Sequence, residues 1–192
     1  TCTLCCTDSA VSLVEIDGDL YYYERGKVCH GFVQVKDDSG NVCTYYFDDT
    51  TGKAFKGWHE IEGKKYYFLD SGIIAEGFCK IGNNTYYFNP VYGVMRTGFL
   101  YLDDETYFFD RETGIMQIGW QDIKYDQDEK VYVYYFLPSG NAVTGFQTID
   151  GKKYHFSDGG ILNTGWIYAG ASMSLTSSSN FWSIGPKVIS EI

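Results

Sequence analysis

The sequence predicts an all-β protein, a β-solenoid of about seven stacked two-stranded β-hairpins. It contains 18 Tyr and 13 Phe, residue types that favour strands, together with 22 Gly and only 3 Pro. Glycine is frequent in tight turns, so many short strands separated by turns are expected. A pattern of glycine and aromatic residues also recurs every 20 to 26 residues, which is typical of units that stack along a chain.

The repeat is marked by a glycine followed by an aromatic residue. Successive pairs are separated by 26, 20, 21, 21, 26 and 20 residues. The pairs are Gly31-Phe32, Gly57-Trp58, Gly77-Phe78, Gly98-Phe99, Gly119-Trp120, Gly145-Phe146 and Gly165-Trp166. Seven occurrences at this spacing are too regular to arise by chance, so the sequence predicts a repeat protein.

Each repeat also carries a triplet that is aromatic throughout, apart from one histidine. The triplets occupy residues 21–23, 45–47, 66–68, 86–88, 107–109, 134–136 and 154–156. An x-Gly turn such as Glu62-Gly63 or Asp150-Gly151 lies between the pair and the triplet, which predicts a hairpin. Two longer repeats insert residues 36–42 and 124–131 into this turn. Because a lone hairpin is marginal in water, neighbouring hairpins are expected to stack.

The two ends of the chain do not follow the repeat. Residues 1–13 are therefore assigned as an N-terminal extension and residues 14–168 as the hairpin-repeat solenoid. The first repeat begins near Val14 and lacks the glycine-aromatic pair. Residues 169–192 are Ser-rich at first and contain no triplet, so they are interpreted as a tail, a linker or a cap.

Strand alternation sorts the aromatic residues into two faces. The first and third triplet positions are predicted to pack inward, and the middle position to share a wetter face with the aromatic residue after glycine. Aromatic faces can stack on sugar rings and attract cations. The predicted ligand-binding platforms are Trp58, Tyr67, Phe78, Tyr87, Trp120, Tyr135, Phe146 and Trp166. The alternative interpretation is that these residues only pack between successive hairpins.

Net charge and hydropathy argue against a nucleic-acid partner and against insertion into a membrane. The formal net charge of −10 disfavours binding to a phosphate backbone, so no nucleic-acid partner is expected. No apolar run approaches the roughly 20 residues that cross a bilayer, so no membrane insertion is expected.

No metal or cofactor site is predicted. Cys2, Cys5 and Cys6 form a C-x-x-C-C cluster without a histidine partner, which is a poor zinc motif. Cys29 and Cys43 could be bridged, and the sequence leaves that open. The acidic cluster at residues 126–129 does not follow the EF-hand pattern expected of a calcium loop.

No catalytic motif is found either. His30, His59 and His155 belong to no nucleophile or metal motif, and the carboxylates lie chiefly in turns, where solvated charge is the ordinary case. The sequence therefore predicts that the chain is not an enzyme.

The stretches 57–68 (GWHEIEGKKYYF) and 145–156 (GFQTIDGKKYHF) resemble the cell-wall-binding repeat superfamily. That superfamily includes choline-binding modules, glucan-binding repeats and the C-terminal repetitive oligopeptides of large clostridial toxins. The segment 114–119 (GIMQIG) is similar to the toxin repeats. The resemblance implies a hairpin solenoid with ligand sites between consecutive repeats. It also implies a secreted or surface-attached protein of a Gram-positive bacterium.

The sequence departs from the choline-binding subgroup just before the triplet, where that subgroup usually has a tryptophan. Here the position holds Leu20, Thr44, Lys65, Thr85, Thr106, Val133 and Lys153. A lysine there would repel a cation and a threonine offers no aromatic face. The resemblance thus implies a non-catalytic module that binds cell-wall polymer or host glycan beside the long repeats, at Trp58 and Tyr67 or at Trp120, Tyr135 and Phe146. The alternatives are a choline-binding anchor and a structural or adhesive spacer.

Overall fold

The protein is described by a computed structural model over residues 11–125, 130–168 and 181–184. All regular elements in these ranges are β-strands, so the all-β prediction is confirmed. The chain divides into two compact units, Thr1–Arg96 and Thr97–Ile192, each of which is described by itself. No helix in the described ranges is long and apolar enough to cross a membrane.

The N-terminal unit contains nine strands in four antiparallel hairpins within its described residues, 11–96. They are β1 (Val11–Ile16), β2 (Asp19–Glu24), β3 (Lys27–Val28), β4 (Gly31–Lys36), β5 (Val42–Phe47), β6 (Gly57–Ile61), β7 (Lys64–Phe68), β8 (Gly77–Ile81) and β9 (Asn84–Phe88). Strand β3 extends the first hairpin to three strands, and the others pair as β4-β5, β6-β7 and β8-β9.

The C-terminal unit contains eight described strands in four further hairpins. They are β10 (Gly98–Leu102), β11 (Glu105–Phe109), β12 (Gly119–Lys124), β13 (Val131–Phe136), β14 (Gly145–Ile149), β15 (Lys152–Phe156), β16 (Gly165–Tyr168) and β17 (Phe181–Ile184). Each strand pairs with its neighbour in sequence. From β4 to β15, the glycine of the glycine-aromatic pair opens the first strand of each hairpin and the triplet ends the second.

The hairpin turns have the geometry that the x-Gly motif predicts. Glu62 and Gly63 have φ angles of 51° and 72°, and Asp150 and Gly151 have φ angles of 51° and 74°. Positive φ at both central residues is the primed turn that matches the twist of paired strands. The β10-β11 turn reaches the same geometry without glycine, because Asp103 and Asp104 have φ angles of 51° and 63°.

Neighbouring hairpins within each unit are joined by a recurring backbone hydrogen bond. The segment that returns from each triplet donates an N–H to the carbonyl of the residue before the preceding triplet. The pairs are Ala54 to Leu20, Ile74 to Thr44, Met95 to Lys65, Ala142 to Thr106 and Leu162 to Val133, at 2.7–2.8 Å. The stacking expected from the instability of a lone hairpin is therefore observed inside each unit.

The third triplet position forms the centre of the core. It is fully buried at Phe47, Phe68, Phe88, Phe109, Phe136 and Phe156, each 0% exposed. The first position is also buried at Tyr45, Tyr66, Tyr86 and Tyr134. The inward packing predicted for these two positions is thus confirmed at these residues.

The prediction of a wetter face is wrong for several middle positions. Tyr22, Tyr46, Tyr87 and Phe108 are buried, and Tyr67, Tyr135 and His155 are partly buried. At Tyr46 the cause is visible, because it lies in one core cluster with Tyr66, Phe68 and Ile74 from the next repeat. Alternation correctly separates the two faces, but stacking then covers part of the outer one.

The first repeat begins before Val14, since β1 starts at Val11. Its register aligns Ser12 with Tyr23 and Leu13 with Tyr22, so Ser12-Leu13 takes the place of the glycine-aromatic pair. At the other end, β17 lies within the segment interpreted as a tail and pairs with β16. The domain boundaries at residues 13 and 168 stay predictions.

The described cysteines, Cys29, Cys43 and Cys79, are free, so the possible bridge between Cys29 and Cys43 is not formed. Within the described ranges, no group of His, Cys, Asp and Glu side chains is arranged to hold a metal ion. The cysteine cluster in the first six residues and the acidic cluster at 126–129 lie outside the described residues.

Candidate binding grooves

The aromatic residue after each glycine packs directly across the hairpin from the middle residue of the triplet. The ring centroids are 4.8 Å apart in Phe32–Tyr46, 5.2 Å in Trp58–Tyr67, 5.0 Å in Phe78–Tyr87, 4.8 Å in Phe99–Phe108, 5.0 Å in Trp120–Tyr135 and 4.4 Å in Phe146–His155. These arrangements are T-shaped or tilted, as aromatic pairs prefer. The prediction that the two residues share a face is confirmed.

The same aromatic residues also contact the next hairpin. Trp58 lies 4.9 Å from Tyr86, and Trp120 lies 4.9 Å from Tyr154. Exposed area nevertheless persists: Trp58 is 42% exposed, Phe78 43% and Phe146 53%. The two interpretations of these rings are therefore compatible, because one side packs between repeats while another faces solvent.

The predicted platforms differ in what they can present to a ligand. Tyr87 is only 7% exposed, so little of its ring is accessible. Trp120, Tyr67 and Tyr135 are partly buried. Trp166 lies on β16, opposite Ser183, and its side chain is outside the described set.

A groove of about 750 Å³ lies in the N-terminal unit, and we call it the Phe32 groove. It is lined by Phe32, Gln34, Thr44, Lys64, Tyr66, Ile74, Glu76, Val91, Tyr92, Gly93 and Val94. Phe32 is 48% exposed, and its ring lies 5.5 Å from that of Tyr66 in the next repeat. None of the eight predicted platforms lines this groove.

Polar groups surround the aromatic surface of the Phe32 groove. The side chains of Gln34, Thr44, Lys64 and Glu76 make no hydrogen bond or ion pair within the described part of the chain, and neither does the hydroxyl of Tyr66. Burial, with a smaller contribution from Glu62, raises the pKa of Tyr66, so this hydroxyl stays protonated at neutral pH. An apolar surface with a few convergent polar groups is typical of a small-ligand site.

Part of this groove was recognisable in the sequence. Phe32 belongs to the glycine-aromatic pattern, and Tyr66 belongs to a triplet, although its position predicted an inward ring. Tyr92 has no repeat signal, because it lies in the turn after a triplet and is 70% exposed. Its backbone N–H is held by the side chain of Asn89 at 3.0 Å.

Glycine is required where the turn beside this groove approaches the core. Gly93 has a φ of 66°, and a Cβ there would lie 2.1 Å from Cδ1 of Ile74. Both the backbone conformation and the space therefore exclude a side chain at this position. The absence of a side chain at Gly93 therefore allows the turn carrying Val91 and Tyr92 to lie close to Ile74.

Comparison with known protein families gives two matches. Residues 55–95 and 75–119 match the choline-binding repeat, and residues 144–162 match the cell wall binding repeat. No curated protein matches the sequence significantly.

Solved structures with the same fold come from Streptococcus pneumoniae. Choline binding protein F is 29% identical with a TM-score of 0.70, over 84% of this chain and 54% of that chain. The same protein in the presence of a peptidoglycan analogue, a tetrasaccharide-pentapeptide, is 27% identical with a TM-score of 0.68, over 81% and 53%. CbpJ from strain TIGR4 is 24% identical with a TM-score of 0.65, over 85% and 53%, and shows likeness of fold alone. The chain spans about half the length of these proteins.

Proposed function

We propose that this chain, which is built from choline-binding and cell wall binding repeats, is a non-catalytic module that binds cell-wall or host carbohydrate through aromatic grooves between repeats. Repeats of this type favour a secreted or surface-attached location in bacteria. We extend this to a Gram-positive bacterium, because choline binding protein F, which the chain resembles, comes from Streptococcus pneumoniae.

The Phe32 groove is the observation that carries the proposal. A pyranose ring has an apolar C–H face, for which the exposed rings of Phe32 and Tyr92 provide an aromatic surface, and hydroxyls around its edge. Gln34, Thr44, Lys64 and Glu76 line the same groove with unengaged donors and acceptors. A sugar would satisfy both sets of groups at once.

The lining also supports binding without catalysis. Glycoside hydrolysis ordinarily needs two carboxyl groups on either side of the scissile bond. Glu76 is the sole carboxylate among the residues that line the Phe32 groove. The described lining therefore offers one carboxylate and not the facing pair that this chemistry uses.

The test is a binding measurement on two exposed tyrosines. Tyr92→Ala removes a ring that is 70% exposed and lines the groove, whereas Tyr101→Ala removes a ring that is 67% exposed and does not line it. The probes are the tetrasaccharide-pentapeptide peptidoglycan analogue and a panel of glucan oligosaccharides. Tyr92→Ala is expected to weaken binding several-fold and Phe32→Ala about tenfold, or roughly 1–2 kcal/mol. Tyr101→Ala should bind as the unsubstituted chain does.

Absence of binding to every probe would overturn the proposal, and so would equal loss in the two tyrosine variants. Thermal unfolding of each variant separates lost binding from lost structure, which matters most for Phe32→Ala because Phe32 also packs on Tyr46.

Choline is the second candidate, favoured by the match of residues 55–119 to the choline-binding repeat. Tyr66, Tyr92 and the carboxylate of Glu76 could all attract a cation. Thr44 and Lys64 oppose it, since one supplies no ring and the other repels positive charge. Retention on a choline-type resin, with elution by free choline, would favour this candidate over carbohydrate.

A further inference from the structure

The C-terminal unit contains an aromatic arrangement equivalent to that of the Phe32 groove, built around Phe99. Phe99 lies 4.8 Å from Phe108 across its hairpin, and 5.3 Å from Tyr134 of the next repeat at an interplanar angle of 54°. Phe32 makes the corresponding contact with Tyr66 at 5.5 Å and 58°. We call this second position the Phe99 groove.

The Phe99 groove is occupied by the side chain of Tyr125. The Tyr125 ring lies nearly parallel to Phe99, with centroids 5.3 Å apart and an angle of 14°. It is also perpendicular to the ring of Tyr132, with centroids 5.0 Å apart and an angle of 89°. The Tyr125 hydroxyl lies 2.6 Å from the hydroxyl of Tyr134, within hydrogen-bond distance.

The equivalent groups of the Phe32 groove have no such occupant. Phe32 is 48% exposed, and the Tyr66 hydroxyl has no hydrogen-bond partner within the described residues. Phe99, in contrast, is partly buried, and the hydroxyl of Tyr134 is partnered by that of Tyr125, although Tyr66 and Tyr134 are both buried, at 6% and 1% exposed. Two grooves with nearly the same aromatic framework thus differ in whether a side chain of the chain itself fills them.

Repeat length explains the difference. Tyr125 follows β12 directly and belongs to the long first turn of that repeat. The hairpin that completes the Phe32 groove, β6-β7, has the two-residue turn Glu62-Gly63, which has no residue to place over Phe32. An aromatic residue in a lengthened turn is therefore what closes the groove of the preceding hairpin.

We propose that Tyr125 is a built-in occupant of the Phe99 groove that takes the place of a carbohydrate ligand, so that the Phe32 groove binds and the Phe99 groove does not. The inference rests on the proposed carbohydrate function. Tyr125 makes the two contacts expected of a sugar, a flat face on an aromatic ring and a hydroxyl bonded to a tyrosine hydroxyl. A sugar in the Phe32 groove is accordingly placed with its apolar face on Phe32 and a hydroxyl on Tyr66.

Tyr125 competes well with a free ligand for the Phe99 groove because it is covalently attached to the chain. A group attached by a short linker acts at an effective concentration on the order of millimolar, so a ligand must displace it before binding. The apparent affinity of the Phe99 groove equals its intrinsic affinity multiplied by the fraction of time that Tyr125 is absent from it.

The binding test compares Tyr125→Ala with Tyr125→Phe, using the tetrasaccharide-pentapeptide analogue and glucan oligosaccharides as probes in calorimetric titrations. Tyr125→Ala is expected to add one site per chain, and this added site should be absent from the Tyr125→Ala/Phe99→Ala double variant. Tyr125→Phe keeps the ring over Phe99 and should bind the same number of ligands as the unsubstituted chain. The inference is overturned if the unsubstituted chain binds a probe, Phe32→Ala removes that binding, and Tyr125→Ala adds no site.

A ligand-free measurement separates this inference from the proposed function. Tyr125 and Tyr101 both stack on Phe99, at 5.3 and 6.0 Å, and each shifts the NMR resonances of the Phe99 ring protons. The part of the shift caused by Tyr125 should be lost in Tyr125→Ala and kept in Tyr125→Phe. Unchanged Phe99 resonances in Tyr125→Ala would show that Tyr125 does not occupy the groove. If no probe binds any form, the carbohydrate function fails, while these resonances still decide whether Tyr125 is the occupant.

Discussion

Lys64 is the residue that most directly affects which charge the Phe32 groove accepts. It is exposed, lines the groove, and has no ion pair within the described part of the chain. Its ammonium therefore adds a positive potential where a quaternary ammonium ligand would have to lie.

Replacing Lys64 with Met should accordingly strengthen choline binding several-fold, and the gain should shrink as salt rises, because exposed charges are screened. Lys80→Met is the matched control, since it removes the same charge from an exposed strand residue that does not line the groove. Titration with choline at low and high ionic strength measures both effects. Equal gains in the two variants would mean that net charge, rather than the groove, controls the affinity.

Individual residues also show what periodicity could and could not predict. Alternation correctly put Trp58 and Tyr67 on one face and Phe68 on the other. It could not predict that Tyr87 is buried, because that depends on packing beyond its own strand. The positions of Tyr92 and Tyr125 could not be predicted for another reason. Both residues lie outside strands, where the alternation of side chains between two faces does not apply.

At the scale of the element, the turns after three of the triplets are organised by a short polar side chain, whereas Leu69 and Leu137 occupy the equivalent place after two others. The Asp48 carboxylate accepts hydrogen bonds from the Thr51 hydroxyl and backbone N–H at 2.7 Å, and Asp110 accepts the same pair from Thr113. These bonds lower the pKa of both carboxyl groups. Asn89 occupies the equivalent place with an uncharged amide.

Because the folded-state pKa of Asp110 is depressed, its contribution to stability is present above the unfolded pKa, near 4, and is lost as pH falls through the folded value. Asp110→Asn should keep the turn, as Asn89 does, while reducing the loss of stability below about pH 4. Thermal unfolding between neutral and acidic pH measures the slope. The same slope in the variant and the unsubstituted chain would contradict a role for this carboxylate.

The hairpin turns provide a second test at the element scale. Gly63 has a φ of 72° and no atom within 4 Å of the place where a Cβ would lie, whereas Asp104 has a φ of 63° and carries a side chain. A non-glycine residue in the left-handed region costs about 1 kcal/mol. Gly63→Ala should therefore lower the free energy of unfolding by about 1 kcal/mol, and Asp104→Gly should raise it by somewhat less, because glycine loses more entropy on folding. Denaturant unfolding of both variants gives the comparison, and effects of the same sign would refute it.

For the whole molecule, the repeat pattern predicted the all-β class and the hairpins, because one backbone unit recurs with its turns and core aromatic residues. It did not predict which grooves stay open. Whether a groove stays open depends on whether a lengthened turn carries an aromatic residue such as Tyr125. The spacing of the glycine-aromatic pairs contains no information about the residues in that turn. The sequence also did not predict that Ser12-Leu13 takes the place of the glycine-aromatic pair in the first repeat. The strand register shows this equivalence, but neither residue is a glycine or an aromatic residue.

The net charge of −10 determines how the molecule as a whole should respond to salt. Surfaces of like charge repel one another over a Debye length, which is about 10 Å at 0.1 M salt and shorter at higher concentration. An acidic module should therefore bind an anionic, phosphate-bearing wall polymer more weakly at low salt than at high salt.

A neutral oligosaccharide in the Phe32 groove meets one lysine and one glutamate, so its affinity should change by less than about twofold over the same range. Sedimentation with purified cell walls, before and after removal of phosphate polymers, measures the first effect, and titration with a neutral oligosaccharide measures the second. Binding to intact walls that weakens steeply as salt rises would instead indicate attraction between opposite charges, and would place recognition on a basic surface rather than in the aromatic grooves.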